Sequence, residues 1–213
     1  MDPHSAGDPR STYDRIAAHF SKTREYAWPE VESFLDGRTA TRALDIGCGN
    51  GRHVESLTEH AAAVVGVDLS RELLREAVDR AREREYADVA SFVHGDAASL
   101  PIASDAVELA VYVATVHHLP SREARIRSLD ELARVLTPGG TALVSTWSTA
   151  HDRFDRDEGF DTTVDWTLPG GETVPRYYHI YSPAEFETDL GESALEVVRF
   201  EVSSGNCYVT VTV

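Results

Sequence analysis

Lysine is almost missing from this chain: Lys22 stands alone among 20 basic residues, against 36 acidic ones, for a net charge of −16. There is no basic surplus of the kind that lets a domain draw in phosphates, which argues against ordinary nucleic-acid binding. Cysteine is scarce too. Cys48 and Cys207 lie far apart and share no metal-type spacing with histidines, so they read as two free, reduced thiols. No apolar run approaches the roughly 20 residues that cross a bilayer, and the N-terminus lacks a basic-then-apolar leader pattern. No membrane segment and a cytoplasmic location are the expectations. An acidic surface with arginine as its cation suits concentrated salt, where the Debye length falls to about 3 Å at 1 M and self-repulsion fades. The composition therefore points to a halophilic source. In such salt counterion release contributes little, which weakens the objection to nucleic acid.

Of 213 residues, 42% are hydrophobic, enough for one folded domain. Residues 1–10 are polar and read as a flexible tail. Residues 11–213 read as a single domain, with a lid or insertion at about 148–182 that lacks periodicity. Tyr13, Ile16, Ala17 and Phe20 recur at helical spacing from Thr12, and a second helix starts at Pro29 and buries Val31, Phe34 and Leu35. Apolar runs at Ala43–Ile46, Val64–Val67, Ala90–Val93, Val107–Val113 and Thr141–Thr146 read as strands, with helices after Gly51, Ser70 and Ser121. Thr137-Pro138-Gly139-Gly140 reads as a turn between helix and strand, and Ser182-Pro183 opens a last helix. Alternating runs 196–202 and 208–213, joined at Gly205-Asn206, read as an antiparallel hairpin. The pattern predicts an α/β fold, a doubly wound, mostly parallel seven-stranded sheet with an antiparallel C-terminal hairpin.

Three strand ends carry acids. The first gives Asp45-Ile46-Gly47-Cys48-Gly49-Asn50-Gly51, the second Asp68-Leu69, the third Asp96-Ala97. Glycines allow the tight strand-to-helix turn and close approach of a ligand. Asp68 can accept from both ribose hydroxyls, and Asp96 followed by small Ala97 suits an adenine edge. A dinucleotide fingerprint would place its third glycine where Arg52 stands. Asp45 would also repel a pyrophosphate, whereas a sulfonium or ammonium would welcome it. The pattern fits S-adenosylmethionine, with Asp45, Gly47, Gly49, Asp68, Leu69, Asp96 and Ala97 as its contacts.

These motifs, with Pro138-Gly139-Gly140, resemble those of the class I methyltransferases. Tyr13-Asp14-Arg15-Ile16-Ala17-Ala18-His19-Phe20-Ser21-Lys22-Thr23-Arg24 with Trp28-Pro29, then Ala114-Thr115-Val116-His117-His118-Leu119, then Arg176-Tyr177-Tyr178-His179-Ile180-Tyr181, and Gly205-Asn206-Cys207-Tyr208 are more specific. Together they resemble the Trm9/ALKBH8-like tRNA wobble-uridine methyltransferases. The resemblance implies methylation of the carboxylate of 5-carboxymethyluridine, or of a related modified uridine, in a tRNA anticodon loop. It also implies a small activating protein of the Trm112 type, which the apolar edge strand at Ala90–Val93 could take up by strand addition.

A carboxylate with pKa near 4 is already ionised, so its methylation needs alignment and no base. A planar cation that holds the acceptor is the useful group, and Arg24 and Arg176 are the candidates. Val113 ends the fourth strand beside the donor. His117 is expected to face the acceptor, and His118 to pack near the cofactor. Tyr177, Tyr178 and His179 could stack a base already partly unstacked. No metal site is expected. Two other readings stay open: a small-molecule methyltransferase acting on a quinone precursor, lipid or carboxylic acid, and a non-catalytic cofactor-binding protein.

Overall fold

The capping residues set the helix starts in the computed structural model, which describes residues 8–213. Ser70, Ser121 and Ser182 each accept an amide from the first turn of the helix that follows: α4 (Arg71–Glu83), α5 (Arg122–Val135) and α6 (Pro183–Glu192). Helix α1 (Pro9–Lys22) starts earlier than the expected Thr12, because Asp8 caps the Arg10 amide and Pro9 occupies the first turn. The boundary drawn at residue 10 is corrected accordingly. Residues 1–7 of the expected tail lie outside the described residues. Helices α2 (Pro29–Leu35) and α3 (Arg52–Thr58) complete the set.

Strands β1 (Ala40–Ile46), β2 (Ala61–Asp68), β3 (Ala90–His94), β4 (Val107–Val113) and β5 (Leu136–Trp147) run parallel. The hairpin β8 (Glu196–Ser203) and β9 (Asn206–Thr212) adds antiparallel to β5. The order β3-β2-β1-β4-β5-β9-β8 makes one seven-stranded sheet and leaves β3 at one edge. Successive residues of β1 point to opposite layers. Leu44 and Ile46 join the core under α5 and α6, and Ala43 joins the core under α2, α3 and α4. The direction of winding reverses between β1 and β4, and at their carboxyl ends such a sheet opens a crevice for ligands.

Two segments differ from expectation. Residues 137–140 form no separate turn. Helix α5 runs directly into β5, and Gly139 at φ +79° sits in an irregularity where the pairing skips between Val107 and Leu109. The aperiodic stretch 148–182 holds an ordered antiparallel ribbon, β6 (Phe160–Thr167) and β7 (Thr173–Ile180), with Thr163 opposite Tyr177. The ribbon packs on α1 through Trp166 and Val174 against Ile16. Among the described residues, no helix is long and apolar enough to cross a membrane.

Candidate active site

A cavity of about 360 Å³ opens at the crevice, within the size range of small-molecule sites. Its floor is the loop after β1. Gly47 has φ +71°, and a Cβ there would lie 2.2 Å from Thr115 Oγ1, so only glycine fits. Asp68, at the tip of β2, fixes this loop: its Oδ2 accepts the Gly49 amide and its Oδ1 the Ser70 amide, both at 2.8 Å. Burial raises the Asp68 pKa, against the pull of those two amides. Gly47, Gly49, Asp68 and Leu69 line the cavity, as do Asp96, Ala97, Val113 and His118. Asp96 is exposed, and its Oδ1 also accepts the Ala98 amide at 2.8 Å.

Asp45 lies one layer deeper. It is 1% exposed, lies off the cavity wall, and its Oδ2 has no partner among the described residues. Burial, then the charge of Asp68, pushes its pKa up to about 8. A buried carboxyl with an empty acceptor beneath the loop suits a nearby cation, reached directly or through one water. On the cavity wall Arg52 lies over the Trp28 ring at 5.3 Å. Burial and the charge of Arg24 hold its pKa down to about 10, against the pull of Asp45. Arg52 on the wall and the Asp45 carboxyl beneath the loop suit the carboxylate and the ammonium of an amino-acid tail.

The acceptor side is built from the turn after β4 and from the ribbon. Ala114, at φ +53°, reverses the chain and is held by the carbonyl and the hydroxyl of Ser145, each 3.1 Å from its amide. The short 3₁₀ turn Val116–His118 follows. His117 is fully buried. Its Nδ1 accepts the Trp147 amide at 3.1 Å, so a neutral ring carries its proton on Nε2, which has no partner among the described residues. His118 has the opposite tautomer. Its Nδ1 lies 2.9 Å from the Tyr177 carbonyl and must donate, so Nε2 accepts the Tyr13 hydroxyl at 2.9 Å. Burial keeps both rings neutral, taking His117 well below the ordinary imidazole range and His118 down to about 4.

Arg176 is 7% exposed and its Nε has no partner among the described residues. Arg24 is tied to the glycine loop by its carbonyl, which accepts Asn50 Nδ2 at 2.8 Å. Both arginines line the cavity with His117, Tyr13 and Tyr178.

Residues 44–144 match the methyltransferase domain family. A tRNA (carboxymethyluridine(34)-5-O)-methyltransferase, ALKBH8, of Mus musculus is 36% identical over 64% of this chain and 19% of its own length. A protein of Encephalitozoon cuniculi (strain GB-M1) named as a methyltransferase is 33% identical over 86% of each chain. The chain belongs to the class I S-adenosylmethionine-dependent methyltransferases. It spans only 19% to 31% of the length of the first curated relatives it matches. A chain from the complex between the Haloferax volcanii Trm112 methyltransferase activator and a methyltransferase shares the fold, with TM-score 0.71 and 16% identity over 96% of this chain and 97% of that one.

In this methyltransferase the expected acceptor residues divide between two faces of one strand. Arg176 and Tyr178 face the cavity, whereas Tyr177 and His179 do not line it. Alternate residues of a pleated strand point to opposite sides, so the placement of Tyr177 and His179 at the reacting centre is corrected. Tyr177 donates to Asp161 Oδ1 at 2.7 Å. His179 bridges Asp161 Oδ1 at 2.7 Å and Glu185 Oε1 at 3.0 Å, tying the ribbon to α6. Arg24, His117 and His118 do line the cavity. Sequence reasoning gave no role at the site to Tyr13, Trp28, Arg52 or Trp147. For Arg52 a signal existed, since it directly follows the glycine loop. Among the described residues no three His, Cys, Asp or Glu side chains are grouped to hold a metal ion.

Proposed function

We propose that this methyltransferase esterifies the carboxylate of 5-carboxymethyluridine, or a close relative of that base, at the tRNA wobble position. The observation that carries the reading is the donor inventory of the acceptor side. His117 Nε2–H and Arg176 Nε–H point from buried positions with no partner among the described residues. The neighbouring imidazoles are held neutral, and both nitrogens of His118 are engaged. Such a wall offers hydrogen bonds to an anion and no ready base for a neutral acceptor. A carboxylate, ionised above pH about 4, brings its own lone pair. The relatives named as carboxymethyluridine methyltransferases support the same substrate class.

Bound S-adenosylmethionine supplies an electrophilic methyl carbon on a sulfonium leaving group. Asp68 and Asp96 would hold its sugar and base, and Asp45 its ammonium. Arg24 and Arg176 would grip the acceptor carboxylate, and His117 Nε2–H would fix its orientation, holding attacking and leaving atoms in line. Arginine forks suit the two coplanar oxygens of a carboxylate. Tyr178, stacked with His117 at 5.0 Å, would receive the splayed base.

An activating protein of the Trm112 type would add at the β3 edge. Support comes from the position of β3 at the end of the sheet and from the fold shared with a chain of an activator complex. The net charge of −16 favours a second reading, a small carboxylic acid as acceptor. Both are separated by assaying the chain in molar salt, with a Trm112-type subunit, on bulk tRNA and on a carboxylic-acid panel. New carboxymethyluridine methyl ester, seen by nucleoside mass spectrometry, supports the proposal; turnover of free acids alone refutes it.

A further inference from the structure

Arg24 and Arg176 come close enough for the charge of one to weigh on the other, and among the described residues neither forms an ion pair with a carboxylate. Two like-charged forks, Arg176 buried and Arg24 half-buried, would drift apart unless something held them. Both guanidinium carbons lie over the ring of Trp166, Arg24 at 5.3 Å and Arg176 at 4.9 Å from its centroid. Each has a second aromatic face as well, Phe20 at 5.5 Å for Arg24 and Tyr178 at 5.1 Å for Arg176. These distances lie within the range where the ring quadrupole attracts a cation, and indole is the strongest such face.

Trp166 is itself fixed. It is 9% exposed, and its Nε1–H donates to His19 Nδ1 at 3.0 Å. Its ring packs against His19 and Phe20, with centroids 5.6 Å away in each case. It stands on β6, off the cavity wall, so it reaches the reacting atoms only through the arginines. We infer that Trp166 is a positioning residue that holds the guanidiniums of Arg24 and Arg176 together over one ring, leaving their N–H edges to grip a planar two-oxygen anion. A guanidinium resting on an aromatic face keeps its in-plane donors and loses less freedom when it binds. The inference rests on the proposed reading of the acceptor as a carboxylate.

The test uses the full chain with its activating subunit, labelled with nitrogen-15 at arginine Nε. Arg24→Lys and Arg176→Lys assign the two Nε–H signals, which ring currents should displace. In Trp166→Leu both signals should move toward the position of solvent-exposed arginines, keeping only the part of the displacement that Phe20 and Tyr178 contribute; in Trp166→Phe they should stay displaced. Acceptor KM should rise about tenfold or more in Trp166→Leu, with a smaller change in kcat and recovery in Trp166→Phe. Affinity for S-adenosylhomocysteine should stay within about twofold. If Trp166→Leu does not fold, His19→Ala, which frees the indole, should shift the same signals. Unmoved arginine signals in the variant tested overturn the inference. Signals that move as expected, with no wild-type turnover of carboxymethyluridine tRNA, overturn the substrate reading and leave the positioning role standing.

Discussion

Replacing His117 by phenylalanine tests whether this imidazole orients the acceptor or removes a proton. The ring is fully buried and stacks with Tyr178 at 5.0 Å and 25°, so phenylalanine keeps the shape. Two hydrogen-bonding atoms are lost. Loss of Nδ1 strips the Trp147 amide of its acceptor, which should lower stability by about 1–3 kcal/mol. Loss of Nε2–H removes a hydrogen bond to a charged acceptor, worth about 1.5–3 kcal/mol. That converts to a fall in kcat/KM of about 10- to 150-fold. Steady-state kinetics on carboxymethyluridine tRNA, with calorimetry of S-adenosylhomocysteine binding, would check it; the product affinity should hold within about twofold. Because burial keeps His117 neutral and His118 titrates only near 4, the wild-type profile at saturating S-adenosylmethionine should be flat above pH about 6. An acidic limb near pH 6–7 that vanishes in His117→Phe would mean that the ring acts as a base. Unchanged kcat/KM would mean that it does not touch the acceptor.

Asp45 links cofactor uptake to protons. Its folded pKa is raised to about 8, so its contribution to stability is full below the ordinary carboxylate range and is lost as pH rises through about 8. A bound ammonium should ionise it, and calorimetry at pH 7 in buffers of different ionisation enthalpy should read a net release of up to about one proton per site, most of it lost in Asp45→Asn. Asp68→Ala removes the acceptor of the Gly49 and Ser70 amides as well as the expected ribose contacts. Its cofactor affinity should drop by about 2 kcal/mol or more, roughly 30-fold, by equilibrium binding. Arg176→Ala should leave cofactor affinity nearly intact and impair turnover of a carboxylate acceptor; loss of cofactor binding would place the ribbon over the donor instead.

The loops that line the proposed cofactor half of the cavity were legible because they are local. Each strand tip and the loop after it are contiguous in sequence, so Asp45–Gly51, Asp68 and Asp96 declare their positions through the βα alternation. The acceptor half depends on parity and on distance. Read as an aperiodic insertion, residues 176–179 carry no facing information; once they form a strand, Arg176 and Tyr178 separate from Tyr177 and His179 by the period of two. The polar residues of β6, such as Asp161 and Asp165, hide the strand pattern that would have applied the rule. Trp166 and His19 are 147 positions apart, and no local signal connects them. Arg52 is equally local, but in the sequence it stands out first as the residue that breaks a dinucleotide fingerprint.

The first helix joins distant parts of the chain: Tyr13 meets His118 on the cavity wall, and Arg15 pairs on the surface with Glu172, 157 positions away. Closing such long loops carries an entropic cost that the contacts between α1 and the ribbon must offset. The acceptor grip is therefore complete only when residues 160–180 have joined the first helix. Selection of the acceptor thus depends on the first helix and the ribbon finding each other across most of the sequence.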